Sequence, residues 1–256
     1  MTTSRAKFWA ILNALVLILV IYWNYYANAQ GINENSVGSL SDQYDNFFTP
    51  AGYAFSIWGL IYIALTINAA YQLRCAFTSQ ETSFIQKLGP TLIFANIGNA
   101  AWIWLWLIER TGESVILMLL ILISLIAAVI RLNLGTGRAT IPVKRWVWWP
   151  VSLYTGWITV ATVANISAYL AKIDWQMGLT EVNWAIVMIV VATVVNIFIL
   201  KTRNMATFAL VGAWAILAIA MRHWGSQITL QWVAAACAAI LVVLVVSNKI
   251  LRTIRQ

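Results

Sequence analysis

The chain has 256 residues, of which 62% are hydrophobic and only 9% are charged. A soluble domain carries about 25% charged residues, so this composition excludes an ordinary soluble protein and indicates an integral membrane protein. The net charge at pH 7 is +8, a value that raises the question of a nucleic-acid partner.

Long apolar runs follow one another along the whole chain. A helix crosses the hydrocarbon core with about 20 apolar residues, so each run predicts a transmembrane helix. The connections between the runs are short and leave no room for a separate soluble domain. The sequence therefore predicts an all-α membrane protein with about eight transmembrane helices. The runs are residues 8–27, 51–73, 89–108, 114–131, 146–171, 182–200, 205–221 and 228–248.

The connections at the two ends of these runs differ in charge. Basic residues dominate every second connection, as at Lys144 and Arg145 after the fourth run and Lys201 after the sixth. The other connections are acidic or mixed, as at Asp42 and Asp45 after the first run. This positive-inside pattern predicts that both termini are cytoplasmic. It also explains the basic excess, so no nucleic-acid partner is expected.

The first run has a second interpretation. Arg5 and Lys7 before it and Ala27-x-Ala29 after it are typical of a cleavable signal peptide. Cleavage of residues 1–29 would leave seven spans and place the N-terminus outside. The apolar run is long for a signal peptide, which favours an uncleaved first helix.

The residue types within the runs exclude several kinds of chemistry. No charged residue lies deep inside a run, which argues against ion pumps and charge-coupled transporters. Every lysine lies near a predicted helix end, so a retinal Schiff base is not expected. The single histidine, His223, is expected to be a solvated loop residue. No metal or haem ligand set can be assembled from the sequence, and no metal or covalent cofactor is required.

The chain contains 15 tryptophans, and their depth separates two kinds. Tryptophan favours the membrane–water interface, so those near span ends need no further role. Trp146, Trp148 and Trp149 adjoin basic residues and are predicted to be interface anchors. The other tryptophans close to span ends are Trp9, Trp23, Trp106, Trp175, Trp184, Trp224 and Trp232.

Three tryptophans lie deeper and share a helix face with other candidate residues. Trp58, Trp102 and Trp157 lie about 10 to 16 Å inside their spans, at about 1.5 Å per helical residue. The face-sharing partners are Tyr62 for Trp58, Asn99 for Trp102, and Ala161 and Asn165 for Trp157. Facing one another, these stripes would form an apolar pocket with a few polar groups, which suits a small molecule. Plain helix packing, with the amides joining neighbouring helices, explains them equally well.

The order and spacing of these residues resemble a known family. The segments "PAGYAFSIWGLIY" (50–62), "NAAWIWLW" (99–106) and "WITVATVAN" (157–165) resemble the second, third and fifth helices of the TspO/translocator-protein family, also called tryptophan-rich sensory proteins or peripheral benzodiazepine receptors. The resemblance covers residues 1–172 and implies a TspO-like five-helix transmembrane bundle. Residues 173–256 fall outside it and are predicted to form an additional three-helix transmembrane extension.

The resemblance implies a ligand site and a location. Family members bind porphyrins, and some bind sterols or synthetic aromatic ligands, in a cavity inside the bundle. Family distribution, together with the charge pattern, implies a bacterial inner membrane. The positions that match pocket-lining positions are Trp58, Asn99, Trp157 and Ala161, those that match neighbouring motif positions are Phe55, Tyr62, Trp102 and Asn165, and the segment from Asp42 to Phe48 corresponds to a lid loop.

Three functional hypotheses follow. The first is a sensor or carrier that binds a hydrophobic aromatic ligand, such as a porphyrin or tetrapyrrole, or else a sterol or lipid. The second is a light-dependent porphyrin-modifying enzyme with Trp58 and Trp157 as redox-active groups. The sequence offers no acid–base pair, which favours a binding protein over an enzyme. The third is an accessory subunit of a larger membrane complex. Expected partners are membrane lipid, the ligand, and either a second copy or a larger assembly.

Overall fold

The structure is a computed structural model that describes residues 2–44, 46–78, 81–175 and 178–254. Asp45, which belongs to the acidic connection and to the lid loop predicted above, lies outside the described residues. Apart from two short turns of other helix types, the ordered elements are α-helices, and no strand is found within the described ranges. The prediction of an all-helical membrane protein is therefore confirmed.

The helices follow the apolar runs closely. A 3-10 turn at Gly52–Ser56 leads directly into α3, and a π turn at Lys144–Trp148 joins α6 to α7. The α-helices are α1 (Thr2–Gln30), α2 (Val37–Gln43), α3 (Ile57–Thr78), α4 (Ser83–Leu107), α5 (Thr111–Arg131), α6 (Ile141–Val143), α7 (Trp149–Lys172), α8 (Glu181–Arg203), α9 (Ala206–Arg222) and α10 (Ile228–Ile254).

The number of transmembrane helices is confirmed only in part. Five helical segments in the described chain are long and apolar enough to cross a membrane, and they include α1, α3, α5, α8 and α10. Helix α9 is apolar but shorter. A long helix also lies at the two remaining runs, α4 and α7. The polar content of α4, which contains Pro90, Asn96 and Asn99, works against a purely apolar span. The count of eight spans stays a prediction.

Five of the long helices surround a common centre. Each packs against two neighbours in the ring α1, α3, α7, α5, α4. Helix α9 packs on the outside of α7 and on the 3-10 turn before α3, while α8 and α10 pack against α9. The assignment of residues 1–172 and 173–256 to two separate domains stays a prediction.

Buried amides join the first helices at the end of the bundle that holds the N-terminus. Asn13 on α1 donates a hydrogen bond to Gln72 on α3, whose own amide donates to Asn68. Asn68 donates in turn to the carbonyl oxygen of Trp146 within the π turn, at 2.8 Å. A π turn leaves a carbonyl without its usual helical partner, and Asn68 satisfies it. Asn68 therefore joins helices, as the helix-packing interpretation of the buried amides predicts.

The opposite end of the bundle carries the segment 31–56 and is called the loop end here. Tyr44 donates a hydrogen bond to the Glu109 carboxylate at the end of α4, and Lys172 at the end of α7 donates to the Glu109 carbonyl. Burial, together with this hydrogen bond and the negative charge of Glu109, raises the pKa of Tyr44 to about 12. The phenol therefore stays protonated and keeps donating throughout the physiological pH range.

Two glycines in the left-handed region offer a test of the packing between the α5–α6 connection and α8. Gly135 and Gly225 have φ values of +80° and +79°, but a Cβ on Gly135 would lie 1.6 Å from the carbonyl oxygen of Arg203, whereas nothing lies within 4 Å of one on Gly225. We expect Gly225→Ala to cost roughly 1–2 kcal/mol for the backbone strain alone. Gly135→Ala is expected to cost at least about 3 kcal/mol, because the α5–α6 connection and the end of α8 must also move apart. Thermal unfolding of both variants in one detergent measures the difference. Equal midpoints would contradict the contact.

Candidate functional site

An aromatic cluster fills the loop-end half of the five-helix ring. Phe55 comes from the 3-10 turn, Trp58 from the first turn of α3, Trp102 from α4 and Trp157 from α7. The Trp58 ring stacks on Trp102 with centroids 6.4 Å apart and meets Trp157 edge-on at 6.3 Å. Phe55 meets Trp157 edge-on at 6.0 Å. The structure thus brings together four residues from three stretches that lie far apart in the sequence.

Three further aromatic side chains extend this cluster. Tyr62, one turn after Trp58, stacks on it at 5.6 Å, and Tyr154 meets Trp58 edge-on at 6.1 Å. Trp106 stacks on Trp102 at 6.2 Å and is only 4% exposed. Trp106 lies near the end of α4, as predicted, but it also belongs to this cluster, because the fold covers the loop end of α4. Tyr154 was not predicted, although it lies three residues before Trp157 and hence on the same helix face.

Asn165 fixes the orientation of Trp102. Its side-chain carbonyl accepts a hydrogen bond from the Trp102 indole N–H at 3.1 Å, and its amide donates to the Ser114 hydroxyl on α5 at 3.0 Å. Asn165 and Ser114 are both buried. The three side chains therefore tie α4, α5 and α7 together. Ser114 was missed at the sequence level because a single serine near a helix start carries no distinctive signal.

Asn99 forms a second polar contact between α4, α1 and α3. Its side-chain carbonyl accepts from the Asn24 amide at 2.9 Å and from the Tyr62 hydroxyl at 3.4 Å. Asn24 was also missed. Its place near the end of the first span, one residue after Trp23, could have indicated a buried amide facing the other helices.

Two buried donors within this cluster have no hydrogen-bond partner in the part of the chain that is described. They are the side-chain amide nitrogen of Asn99 and the indole nitrogen of Trp157. An unsatisfied buried donor costs about 1–3 kcal/mol. Trp157 lines the cleft described next, whereas Asn99 lines neither that cleft nor the groove.

A narrow cleft lies between Trp58, Trp102 and Trp157, with a volume of about 40 Å³. That volume is comparable to the space that one water molecule occupies in the liquid. Ala161 and Asn165 form the α7 wall, so the small side chain at Ala161 does leave space on this face. The other lining residues are Val37, Ser41, Thr49, Pro50, Phe55, Trp106, Val160, Ala164 and Ala168.

A larger groove lies on another side of the stacked Trp58 and Trp102 rings, between α1, α3 and α4. Its volume is about 520 Å³, and it is open to the outside of the bundle. Asn24 and Tyr62 supply polar groups to it. The remaining lining residues are Ile21, Tyr25, Asn28, Ala29, Val37, Gly38, Phe55 and Ile103.

The predicted site residues are thus distributed between two spaces. Phe55, Trp58 and Trp102 line both. Trp157, Ala161 and Asn165 line the cleft alone, whereas Tyr62 lines the groove alone. Asn99 is linked to the groove through its hydrogen bonds to Asn24 and Tyr62.

Helix α9 holds the segment that covers the cleft. Arg222 forms an ion pair with Asp42 at 2.8 Å, and the Ala51 amide donates to the Ala218 carbonyl at 3.1 Å. His223 is 7% exposed and lies 5.3 Å from the Phe47 ring. The prediction of a solvated His223 is therefore wrong, because the lid segment packs over it.

The chain was compared with protein families, curated proteins and solved structures. The model of a family described as TSPO-like protein matches residues 10–247. The matched range runs through α8 and α9 as well as through the five-helix ring. The comparisons with curated proteins and with solved structures gave no match.

Replacing Asn165 tests whether it holds Trp102 in place. We expect Asn165→Leu to lower the unfolding free energy by about 1–3 kcal/mol, because the Trp102 N–H loses its partner, whereas the Ser114 hydroxyl keeps its hydrogen bond to the Thr111 carbonyl. In a double-mutant cycle with Trp102→Phe, the two effects should be less than additive. Denaturation of the four proteins in one detergent measures the coupling. Asn183→Leu, on the exposed start of α8, is the matched control and should change stability by less than about 0.5 kcal/mol. Additive effects would contradict the role of Asn165.

Proposed function

Because this chain belongs to the TSPO-like protein family, we propose that it binds a flat hydrophobic ligand of the porphyrin or tetrapyrrole class within the membrane and acts as a sensor or carrier. The chain is a membrane-spanning helical protein. The observation that carries the proposal is the stacked pair of Trp58 and Trp102 beside a groove of about 520 Å³.

The two volumes favour the groove as the primary binding place. Small-molecule sites usually enclose about 300–1,000 Å³ and are mostly apolar with a few polar groups. The groove falls within this range, whereas the cleft of about 40 Å³ is far below it. A flat ring system in the groove would meet the aromatic cluster at Trp58, Trp102 and Tyr62. Aromatic contacts of this kind contribute about 0.5–1.5 kcal/mol beyond the burial of area.

The polar groups beside the groove suit the acceptor atoms at the rim of such a ligand. Asn24 lines the groove, and Asn99 lies directly behind it with an unsatisfied N–H donor. The groove and its surroundings contain no charged side chain among the described lining residues. A mainly apolar ligand with a few oxygen atoms is therefore favoured over a strongly charged one, and a sterol or lipid is the next candidate class.

The proposal includes a membrane arrangement. Eight spans with both termini in the cytoplasm of a bacterial inner membrane would place the loop end on the outer side. The ligand would then enter from the outer leaflet or the periplasmic face. Binding requires no metal or covalent cofactor, and the protein would work as a homodimer or in a larger assembly, with membrane lipid around it.

Light-dependent modification of the same ligand is the alternative function. The unpartnered indole of Trp157, in edge contact with Trp58, is the observation that favours it, since indoles close to a bound pigment are candidate electron donors. An enzyme would consume the pigment, whereas a sensor or carrier would release it unchanged.

A titration with protoporphyrin tests both functions. We expect saturable quenching of tryptophan fluorescence in the detergent-solubilised protein, with the pigment spectrum preserved in the dark and in the light. Trp58→Ala should weaken binding at least about 3-fold, because a stacking surface is lost. Trp232→Ala, whose side chain is 58% exposed on α10, is the matched control and should leave the affinity unchanged.

Three outcomes would change the assignment. Loss of pigment absorbance in the light alone would favour the enzyme. Unchanged affinity in a Trp58→Ala, Tyr62→Ala double variant that still folds would contradict the groove as the binding place. Purification as a stable part of a larger complex, with no saturable quenching, would favour an accessory subunit.

A further inference from the structure

A second cavity lies at the loop end, apart from the groove, where α7 ends and α8 begins. Its volume is about 170 Å³. That is too small for a macrocycle and is large enough for a headgroup-sized fragment. Residues 46–48 form one wall, the last turns of α7 form another, and the first turn of α8 closes it. The lining residues are Asn46, Phe47, Phe48, Ser167, Leu170, Ala171, Asp174, Trp175, Leu179, Glu181, Trp184 and Ala185.

Aromatic rings form a corner of this cavity. The Trp175 and Trp184 rings lie 6.1 Å apart with an interplanar angle of 88°, so the two indoles are nearly perpendicular. Phe47 and Phe48 face the cavity from the lid segment. Interface tryptophans are common, but an ordinary anchor needs no partner ring. Perpendicular aromatic walls are the arrangement that binds quaternary ammonium groups through cation–π contacts.

The charge of the lining is of one sign. Asp174 and Glu181 contribute carboxylates, and none of the described lining residues is basic. The nearest lysine in the sequence, Lys172, is directed to the Glu109 carbonyl and to the Tyr44 ring. A cleft lined by one sign of charge concentrates ions of the opposite sign. The cavity therefore favours a cation.

A buried hydroxyl adds a polar group to the wall. Ser167 lines the cavity and is 4% exposed, and its hydroxyl oxygen has no hydrogen-bond partner in the part of the chain that the structure covers. Serines within helices usually donate to a carbonyl of the preceding turn, as Thr155 and Thr162 do on the same helix. Ser167 is thus available to an oxygen atom of a ligand.

We propose that this cavity binds a quaternary ammonium group of the choline type, carried either by a lipid headgroup or by a free organic cation. The positive charge lies in the corner of Trp175 and Trp184 near the Asp174 carboxylate. The Ser167 hydroxyl meets the ligand oxygen. A quaternary group fits better than a primary amine, because it has no N–H bonds to satisfy and the walls beside the carboxylates are aromatic.

Choline and its uncharged analogue 3,3-dimethylbutan-1-ol provide the test, because a carbon atom replaces the charged nitrogen with little change of shape. Each is titrated calorimetrically into the full chain in nanodiscs of phosphatidylethanolamine, whose surface has no net charge and does not itself concentrate the cation. We expect saturable choline binding and at least about 10-fold weaker binding of the analogue, because only the cation gains the cation–π and charge contacts. Equal affinities, or no saturable choline binding, would overturn the proposal.

Matched variants locate the binding. Asp174→Asn removes the charge and retains a residue type suited to the left-handed backbone found there, at φ 53°. We expect it to weaken choline binding about 3- to 30-fold, and Trp184→Leu to weaken it by a similar factor. Glu34→Gln, at another left-handed outer-loop position, and Trp232→Leu on α10 are the controls and should change affinity less than 2-fold. Equal losses in the controls would contradict the assignment.

A comparison of two nanodisc lipids distinguishes a lipid headgroup from a free cation as the natural occupant. If a headgroup is the natural occupant, nanodiscs of phosphatidylcholine should compete and weaken choline binding relative to phosphatidylethanolamine, which has the same net charge but no quaternary ammonium group. If the occupant is a free cation, the two lipids should give the same choline affinity, because a headgroup anchored in the bilayer cannot reach the cavity.

Discussion

The hydrogen bond between the Trp102 indole and Asn165 is the contact on which the arrangement of the aromatic cluster depends. A buried indole N–H without a partner costs about 1–3 kcal/mol, and Asn165 removes this cost for Trp102 while donating to Ser114. Once Trp102 is held in this orientation, its face supports Trp58, and Trp58 in turn contacts Trp157. The separation between the narrow cleft and the open groove follows from this stack. Polar contacts thus set the geometry of a site whose binding energy would come mainly from apolar area.

The helical architecture could be predicted from sequence because long apolar runs have few alternatives in a bilayer. The residues Trp58, Trp102 and Trp157 could be identified from their depth, and the structure brings them together. Depth did not reveal the role of Trp106, which lies close to a helix end but is buried, with Tyr44 and Val37 in contact with it. The expected solvent exposure of His223 is wrong for a similar reason, because Phe47 packs against its ring. The position of a residue along one helix does not show whether another segment covers the end of that helix. Predicting such burial requires knowledge of the contacts between distant segments.

The hydrogen-bond partners of the site residues also depend on contacts between distant helices, which a single stretch of sequence does not show. Tyr62 and Asn99 were recognised as separate stripes on two helices, but their link through Asn24 on α1 depends on how three helices meet. Ser114 and Ser167 carry no local signal at all. Serine occurs at many helix positions, and its importance at these two comes only from the neighbouring groups. Residues that recognise a ligand through single polar atoms are therefore the hardest to predict from one sequence.

The segment 46–50 lies between the cavity beside α8 and the narrow cleft beside Trp58. Phe47 and Phe48 line the cavity beside α8, whereas Thr49 and Pro50 line the cleft beside Trp58. The same segment is tied to α9 through the Ala51 amide, the Pro50 carbonyl and the ion pair of Arg222 with Asp42. An occupant on one side of so short a segment restricts the positions that the segment can take on the other side. Trp58 lines both the cleft and the groove, so an occupant of the cavity would act on the proposed ligand site through this segment and Trp58. Two ligands coupled in this way would alter each other's affinity by the same factor. Helices α8 and α9 therefore shape the surroundings of the aromatic cluster, because α8 forms one wall of the cavity and α9 holds the segment between the cavity and the cleft.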